Sequence, residues 1–580
     1  MLWLVLGCFT DRVTAVREDL SRLEADVVAL REERAFLQRV LDETPPPTQS
    51  QRMDLGPRDA NPDAPLPPGH ARRPDVILLS IDTLRADHLG SYGYPRDTSP
   101  FFDRLAAEGA RFSEAWAPAP WTLPSHATML SGLLPEHHGA IEDHLRVPPD
   151  VDFVSTAFQR AGYRTAAMVA TLFVSSRYGF DRGFDHFEDF GIREKKENHL
   201  SLVDADHVFA HARHFTQTQG RGRPVFLFLH VYDVHYGYDP PPPYNERFDR
   251  TPEWGDEKYR SYHTYLRRMI DAEQLEHQIA QYDEEIRFVD QAFQQLVESF
   301  RAAGRKVVVA VTADHGEEFG ERGSWGHGHT LYPEQLHVPW ILHGPGIRSG
   351  VIDTRVGLED VAPTLASLAG VRFGPADGTS RAGLARGRRA RKGRPAAQLA
   401  STSRFQSHVL RWHDEPWDLY VDVPNKTRVL CDRSRDPGCR TNVYRLNAET
   451  GQRLFGDLMR HVGEPWEANA TGTVEVDEGT LWRDGVRHNE RLVVDAGERF
   501  AVLPGDALVR FELDGSTQGP WRPLGGTTPG ARCGLGFTGR AVVDAEIVTT
   551  DEEREMLRAL GYLQDDGGDD TLIDGPSDCR

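Results

Sequence analysis

The chain has 580 residues, more than one hydrophobic core organises, which predicts a large domain accompanied by a smaller one. Its 39% hydrophobic content and 11 tryptophans mark a folded, globular protein. A formal net charge of -21 argues against nucleic-acid binding and does not favour an anionic membrane surface.

Residues 1–8 (Met-Leu-Trp-Leu-Val-Leu-Gly-Cys) form an apolar run too short to span a bilayer and lacking a basic start. Leu6-Gly7-Cys8 resembles the lipobox of bacterial lipoproteins, which implies export and a membrane anchor through a lipidated Cys8. A buried apolar end is the competing reading. Over residues 11–43 the pattern is heptad-like: Val13, Leu20 and Val27 fill one seam position and Val16, Leu23, Leu30 and Leu37 the other, with Arg34 interrupting before Leu41. This predicts an N-terminal coiled-coil helix and hence a homo-oligomer. Residues 44–73 are Pro-rich (Thr44-Pro45-Pro46-Pro47, Leu66-Pro67-Pro68-Gly69) and read as an extended spacer.

A domain over residues 74–375 follows. Val76–Ile81 is a continuous apolar run, the mark of a strand covered on both faces. Strand-length runs recur at Thr165–Ala170, Val225–Val231, Lys306–Thr312 and Val338–His343, with helical stretches at Val154–Ala161 and Glu273–Ala303 between them. This alternation predicts an α/β fold, a mostly parallel sheet with helices on both faces, whose ligands bind beyond the carboxyl ends of the strands.

The acids fall at those ends. Asp82 follows the first strand, Asp233 and His235 follow the strand at 225–231, and Asp314 and His315 follow the strand at 306–312. A glycine-rich loop then carries His327 and His329. A lone Asp at a strand end is usually a turn former. Several acids and histidines on one sheet edge instead make a donor set for Zn²⁺, Mn²⁺ or a similar divalent ion. Thr122, in Trp121-Thr122-Leu123-Pro124-Ser125-His126, stands where a helix begins. It reads either as an N-cap or as a hydroxyl nucleophile whose pKa a neighbouring metal would lower.

These stretches together resemble the sulfatase family, within the alkaline-phosphatase-like superfamily. The matching text is Val76–Gly90, Thr98-Ser99-Pro100, Pro124-Ser125-His126-Ala127 and Tyr282–Ile286. It continues in Thr312–Glu317, His327–Tyr332, Asp360–Leu365 and, near the end, Leu557–Leu563. Three positions depart from the family pattern. Thr122 stands where typical sulfatases carry the Cys or Ser that matures to formylglycine, and His126 replaces the Arg of that signal. Asp82-Thr83 replaces a paired Asp-Asp, removing one hard oxygen ligand and pointing to Zn²⁺ or Mn²⁺ in preference to Ca²⁺.

Thr-x-Pro-x-His instead resembles the superfamily's phosphodiesterase and phosphotransferase branches, in which an unmodified Thr is nucleophile and metal ligand. The resemblance therefore implies one ion on Asp82, Thr122, Asp314 and His315, and a second on Asp233, His235 and His327 or His329. It implies an anionic ester substrate, a sulfate or phosphate ester with phosphodiesters favoured. His126 either acts or hydrogen-bonds locally, and Arg85 either binds an ester oxygen or forms an ion pair. Envelope phosphoryl transfer and a non-catalytic binding protein are the competing functions.

Residues 376–397 are a basic Gly/Ala-rich loop, 398–563 alternate short strands and turns, and 564–580 are an acidic tail. A smaller C-terminal subdomain with antiparallel strands is expected over 398–563. Cys431, Cys439, Cys533 and Cys579 form an even set, fitting two disulfides in an exported protein or free thiols in the cytosol. Export places the enzyme in the periplasm, or on a membrane facing outward from the cytoplasm.

Overall fold

The run Asp75–Ile81 is β1, buried along its whole length, and the strands on either side of it are equally apolar and equally buried. A strand with no polar alternation can be satisfied only at the centre of a sheet covered on both faces. The computed structural model describes residues 73–461 except 142, 144, 191–202, 250–271, 390–397, 403, 405–408 and 423–426, and beyond 461 the backbone of strands between residues 466 and 538. The chain divides into two units, Met1–Ala64 and Pro65–Arg580, and the described residues all belong to the second. The lipobox-like start, the coiled-coil seam, the spacer and the acidic tail lie outside the described residues.

The remaining strands of the main sheet are β2 (Ala110–Trp116), β3 (Arg164–Val169), β4 (His186–Asp189), β5 (Val225–Val231) and β6 (Val307–Ala313). After a two-residue ribbon of β7 (Glu318–Phe319) with β8 (Trp325–Gly326) come β9 (His337–His343), β10 (Gly350–Ile352) and β11 (Val356–Gly357). Their order is β10-β2-β9-β6-β1-β5-β3-β4, with β11 also on β2. β9 runs against both of its neighbours and every other pairing is parallel, so the sheet is mostly parallel as its sequence predicts.

Helices connect these strands: α1 (Pro100–Glu108), α2 (Thr122–Ser131), α3 (Val154–Arg160), α4 (Ala205–Gln217), α5 (Ala272–Ala302) and α6 (Val361–Ala369). α4 packs on β3, β5 and α5, while α6 packs on α2 and α3. α2 ends where Gly132 takes φ 70°, a left-handed conformation that glycine adopts without strain. Among the described residues no helix is long and apolar enough to cross a membrane.

The C-terminal part is antiparallel. Strands β12 (Gln398–Thr402), β13 (Val409–Asp414), β14 (Trp417–Asp422) and β15 (Thr427–Asp432) pair in sequence order. They carry a second core in which Leu399, Leu410, Trp412, Leu419 and Leu430 meet Leu454, Phe455 and Leu458 of α7 (Ala448–His461). Cys431 and Cys439 form a disulfide. Further strands beyond 461 form antiparallel sheets. Within the basic run, Ala382–Ala385 forms a helical turn and Arg381 pairs with Asp360 at 2.8 Å, so the run is partly structured by the domain beside it.

Candidate functional site

β1 and β6 are parallel neighbours with Ile81 in register with Ala313, so the residues that follow them, Asp82 and Asp314, emerge side by side. Thr122 is brought to the same place by α2. Trp121 is the extended residue before the helix, Thr122 is its first helical residue, and no side chain caps this end. The Thr122 hydroxyl is therefore not an N-cap. It points to His315, with Oγ1 3.5 Å from Nε2.

His315 Nδ1 lies 2.9 Å from the Gly316 carbonyl and donates to it, which leaves the Nε2 lone pair for the site. That nitrogen lies 3.3 Å from Asp314 Oδ2 and 3.6 Å from Asp82 Oδ1. The other carboxylate oxygens are held in place: Asp314 Oδ1 accepts from the backbone N–H of His315 at 2.9 Å and of Thr83 at 3.3 Å. Asp82 Oδ2 lies 3.2 Å from His230 Nε2. The two inward oxygens, Asp82 Oδ1 and Asp314 Oδ2, are buried without a hydrogen-bond partner.

Two orphaned carboxylate oxygens around a lone pair and a hydroxyl form an arrangement that lacks a positive charge. Burial pushes the Asp82 and Asp314 carboxyls well above their ordinary range, with Glu317 adding to the first and Asp82 to the second. Burial pushes His315 well below its ordinary range, so its imidazole is neutral. Carboxylate oxygen, neutral imidazole and hydroxyl are donors for a divalent ion, and Asp82, Asp314 and His315 converge closely enough to share one. The Thr83 hydroxyl is instead turned to the Val234 carbonyl, to which it donates at 2.7 Å, on a left-handed backbone at φ 54°.

Behind this centre His126 is fully buried, with Nδ1 2.8 Å from the Thr122 carbonyl and Nε2 2.9 Å from Ser80 Oγ. Burial, with His230 nearby, holds it well below the usual imidazole value. Of the two readings open for His126, local hydrogen bonding is the one the geometry presents; it also lies 3.5 Å from Asp314 Oδ2. On the other side the His327 ring is 4.5 Å from His315 and 4.8 Å from His235. His235 stacks on Tyr232 at 4.1 Å, with Nε2 3.0 Å from the Tyr232 hydroxyl, and burial lowers it to about 3. His327 Nδ1 lies 3.0 Å from Glu317 Oε1.

Three expected site residues are placed elsewhere. Of the two readings open for Arg85, the geometry presents the ion pair: its guanidinium donates to both oxygens of Asp87 at 2.9 and 2.8 Å, to the Glu317 carbonyl at 3.0 Å and to Glu321. Asp233 Oδ1 accepts from the Ala205 N–H at 3.0 Å at the start of α4, its Oδ2 is buried without a hydrogen-bond partner, and burial raises its carboxyl to about 7. His329 turns away to Ser324 and to Glu318, whose Oε2 lies 3.4 Å from its Nε2. Among the described residues, Asp233, His235, His327 and His329 do not converge as ligands for the expected second ion, whereas His126, His230 and Asp314 form a second converging group beside the first.

Sequence reasoning missed His230 and Glu317. His230 sits within an otherwise apolar strand, and a lone polar residue in the run Val225–Val231 was the available signal. Ala170 N–H donates to its Nδ1 at 3.4 Å, so Nε2 carries the proton toward Asp82. Glu317 is buried, accepts from Tyr238 at 3.2 Å and is raised to about 7 by burial; it follows Asp314-His315-Gly316, where it reads as one more loop acid.

Comparison with known proteins gives a consistent result. The Sulfatase family model matches residues 74–371. The chain is 24% identical over 437 residues to a Delta 4,5-hexuronate-2-O-sulfatase of Bacteroides thetaiotaomicron, covering 64% of this chain and 84% of that protein. It is 23% identical over 362 residues to an arylsulfatase of Clostridium perfringens, covering 51% and 75% respectively. Among solved structures it is similar to a phosphonate monoester hydrolase of Agrobacterium radiobacter, with a TM-score of 0.55, 18% identity, and coverage of 67% of this chain and 95% of that one. At that identity the structural likeness shows the fold.

Proposed function

The chain belongs to the sulfatase family and is an ester hydrolase of that family; on this premise we propose that it cleaves sulfate or phosphate esters with unmodified Thr122 as nucleophile, phosphodiesters being favoured. The observation that carries the proposal is the Thr122 hydroxyl, 3.5 Å from His315 Nε2 and set beside two orphaned carboxylate oxygens instead of capping its helix. A divalent ion, Zn²⁺ or Mn²⁺, held by Asp82, Thr122, Asp314 and His315 would lower the hydroxyl pKa and neutralise the ester's charge.

The protein's own contribution is positioning. His230 Nε2–H holds Asp82 Oδ2, and two backbone N–H groups hold Asp314 Oδ1, so both inward oxygens face one point. His126 and Ser80 fix the first turn of α2 from behind, which fixes Thr122. Thr122 also stands at a helix N-terminus, where backbone N–H groups and the dipole favour an anion. Its oxygen bonds to phosphorus or sulfur as the bond to the ester alcohol breaks, the hydroxyl proton leaving with that alcohol, and water then hydrolyses the phosphoryl or sulfuryl ester on the threonine and restores its hydroxyl. The phosphodiester preference rests on Thr122 itself, because a hydroxyl attacks phosphorus without an aldehyde hydrate.

The same proposal includes export, a lipidated Cys8 and association through residues 11–43. The Cys431–Cys439 disulfide supports the oxidising compartment. The test is activity of the Zn²⁺- or Mn²⁺-loaded protein on aryl sulfate, phosphomonoester and phosphodiester substrates. The phosphodiester should be cleaved best, and Thr122→Ala should cut turnover by about three orders of magnitude or more, with Thr122→Ser keeping part of it. Undiminished turnover in Thr122→Ala would refute the assignment.

A further inference from the structure

Asp82 leads into the turn Thr83-Leu84-Arg85, in which Thr83 sits at φ 54°. Among the described residues only Cys439 shares a positive φ without being glycine. A β-branched side chain in that region crowds its own backbone, so the conformation persists only where surrounding contacts over-determine it. Three hydrogen bonds do so here. The Thr83 hydroxyl donates to the Val234 carbonyl at 2.7 Å, its N–H donates to Asp314 Oδ1 at 3.3 Å, and its carbonyl accepts from the Tyr282 hydroxyl at 2.9 Å. The same Tyr282 oxygen accepts from the Arg85 N–H at 2.8 Å, so one hydroxyl closes both ends of the turn. Tyr282 lies on α5 and is fully buried, its ring edge-on to His88 at 5.0 Å and to Phe319 at 5.0 Å. That packing fixes the ring and, with it, the place of the hydroxyl.

We propose that Tyr282 is a positioning residue of the metal centre: its hydroxyl holds Thr83 left-handed, and the left-handed turn aims the Thr83 N–H at Asp314 Oδ1. This role rests on the metal-centre reading above and extends it one layer outward, to a helix that supplies no ligand. The Thr83 φ relates the peptide that carries its N–H to the peptide that carries its carbonyl, so holding the carbonyl sets the direction of the N–H. The first of those peptides joins Asp82 to Thr83, and the same constraint therefore sets how Asp82 leaves β1. Without the Tyr282 hydroxyl, the Thr83 carbonyl and the Arg85 N–H lose this partner, and Thr83 relaxes toward the sterically ordinary negative-φ regions. Its N–H then moves off Asp314 Oδ1. Asp314 is left with the His315 N–H alone on that oxygen, and the inward pair, Asp82 Oδ1 and Asp314 Oδ2, is less firmly held toward one point.

The test measures Zn²⁺ and Mn²⁺ affinity, by competition with a chromophoric chelator, in wild type, Tyr282→Phe and the double variant Tyr282→Phe/Thr83→Gly. Phenylalanine keeps the buried ring and loses only the hydroxyl. Its metal affinity should fall about tenfold, the lower end of what outer-shell partners contribute. Glycine takes a positive φ without steric cost, so the double variant should bind metal more tightly than Tyr282→Phe. Wild-type affinity in Tyr282→Phe overturns the role. So does a Tyr282→Phe that melts lower when metal-free yet keeps wild-type affinity, the signature of a hydroxyl that serves the fold alone. A double variant no tighter than Tyr282→Phe overturns the left-handed turn as the link. Should Tyr282→Phe not fold, the double variant decides: folding with metal bound supports the role, and failure to fold overturns it. Wild type that binds neither ion overturns the metal-centre reading and this role with it, whereas tight binding that ignores the Tyr282 hydroxyl overturns this role alone.

Discussion

Two buried carboxylate centres in this molecule are built in opposite ways. At the carboxyl ends of β1 and β6, Asp82 and Asp314 turn two unpartnered oxygens toward each other's neighbour His315, and burial pushes both carboxyls up. In the C-terminal sheet, Asp418 is equally buried but receives Arg411 Nη2 at 2.9 Å on both oxygens and His413 Nδ1 at 2.6 Å. There burial alone would raise the carboxyl, and Arg411 with His413 holds it well below its ordinary range. The second centre carries its own counter-charge and so serves the fold. The first carries no counter-charge of its own, and on the proposed reading a divalent cation would supply it.

The comparison breaks most sharply under substitution of the two acids. Asp314→Asn should remove about three orders of magnitude of activity and lower the bound metal, while metal-free variant melts at or above metal-free wild type, because one of two crowded carboxylates is gone. Full activity in this variant would end the metal-centre account.

Asp418→Asn should do the reverse. Breaking a buried pair leaves Arg411 uncompensated and should cost about 3–5 kcal/mol of stability by denaturant unfolding, with metal content unchanged. Because the folded Asp418 carboxyl is held below its unfolded value, its support is fully present above about pH 4 and is lost as the pH falls toward the folded value. The gap between wild type and variant should therefore be full at pH 7 and close on strong acidification. A gap that widens in acid would contradict the pairing.

A smaller effect sharpens the contrast. His230→Phe removes the donor that orients Asp82 and should weaken metal affinity by about 10- to 100-fold, as outer-shell partners commonly do. Unchanged metal affinity would show that Asp82 is held without it.

Much of this was legible before any coordinates. The apolar runs of β1, β5 and β6 read as central strands because no polar alternation offers them a solvent face, and their ends place Asp82, Asp314 and His315 together. The limit was side-chain direction. Arg85 and Asp233 have the right chemistry at the right end of the sheet, yet Asp87 lies two residues from Arg85 and captures it, and the start of α4 captures Asp233. Both captures depend on local backbone course that residue spacing does not encode. His230 was hidden for the converse reason: inside a buried strand it reads as packing, and only the register with Ser80 on β1 brings it near Asp82.

The central claim is that Thr122 acts as the plain hydroxyl its codon specifies. Peptide mass spectrometry across residues 112–145 of the purified, active protein measures this directly. The account predicts the residue mass of unmodified threonine at position 122; any other mass there in the active enzyme would contradict it.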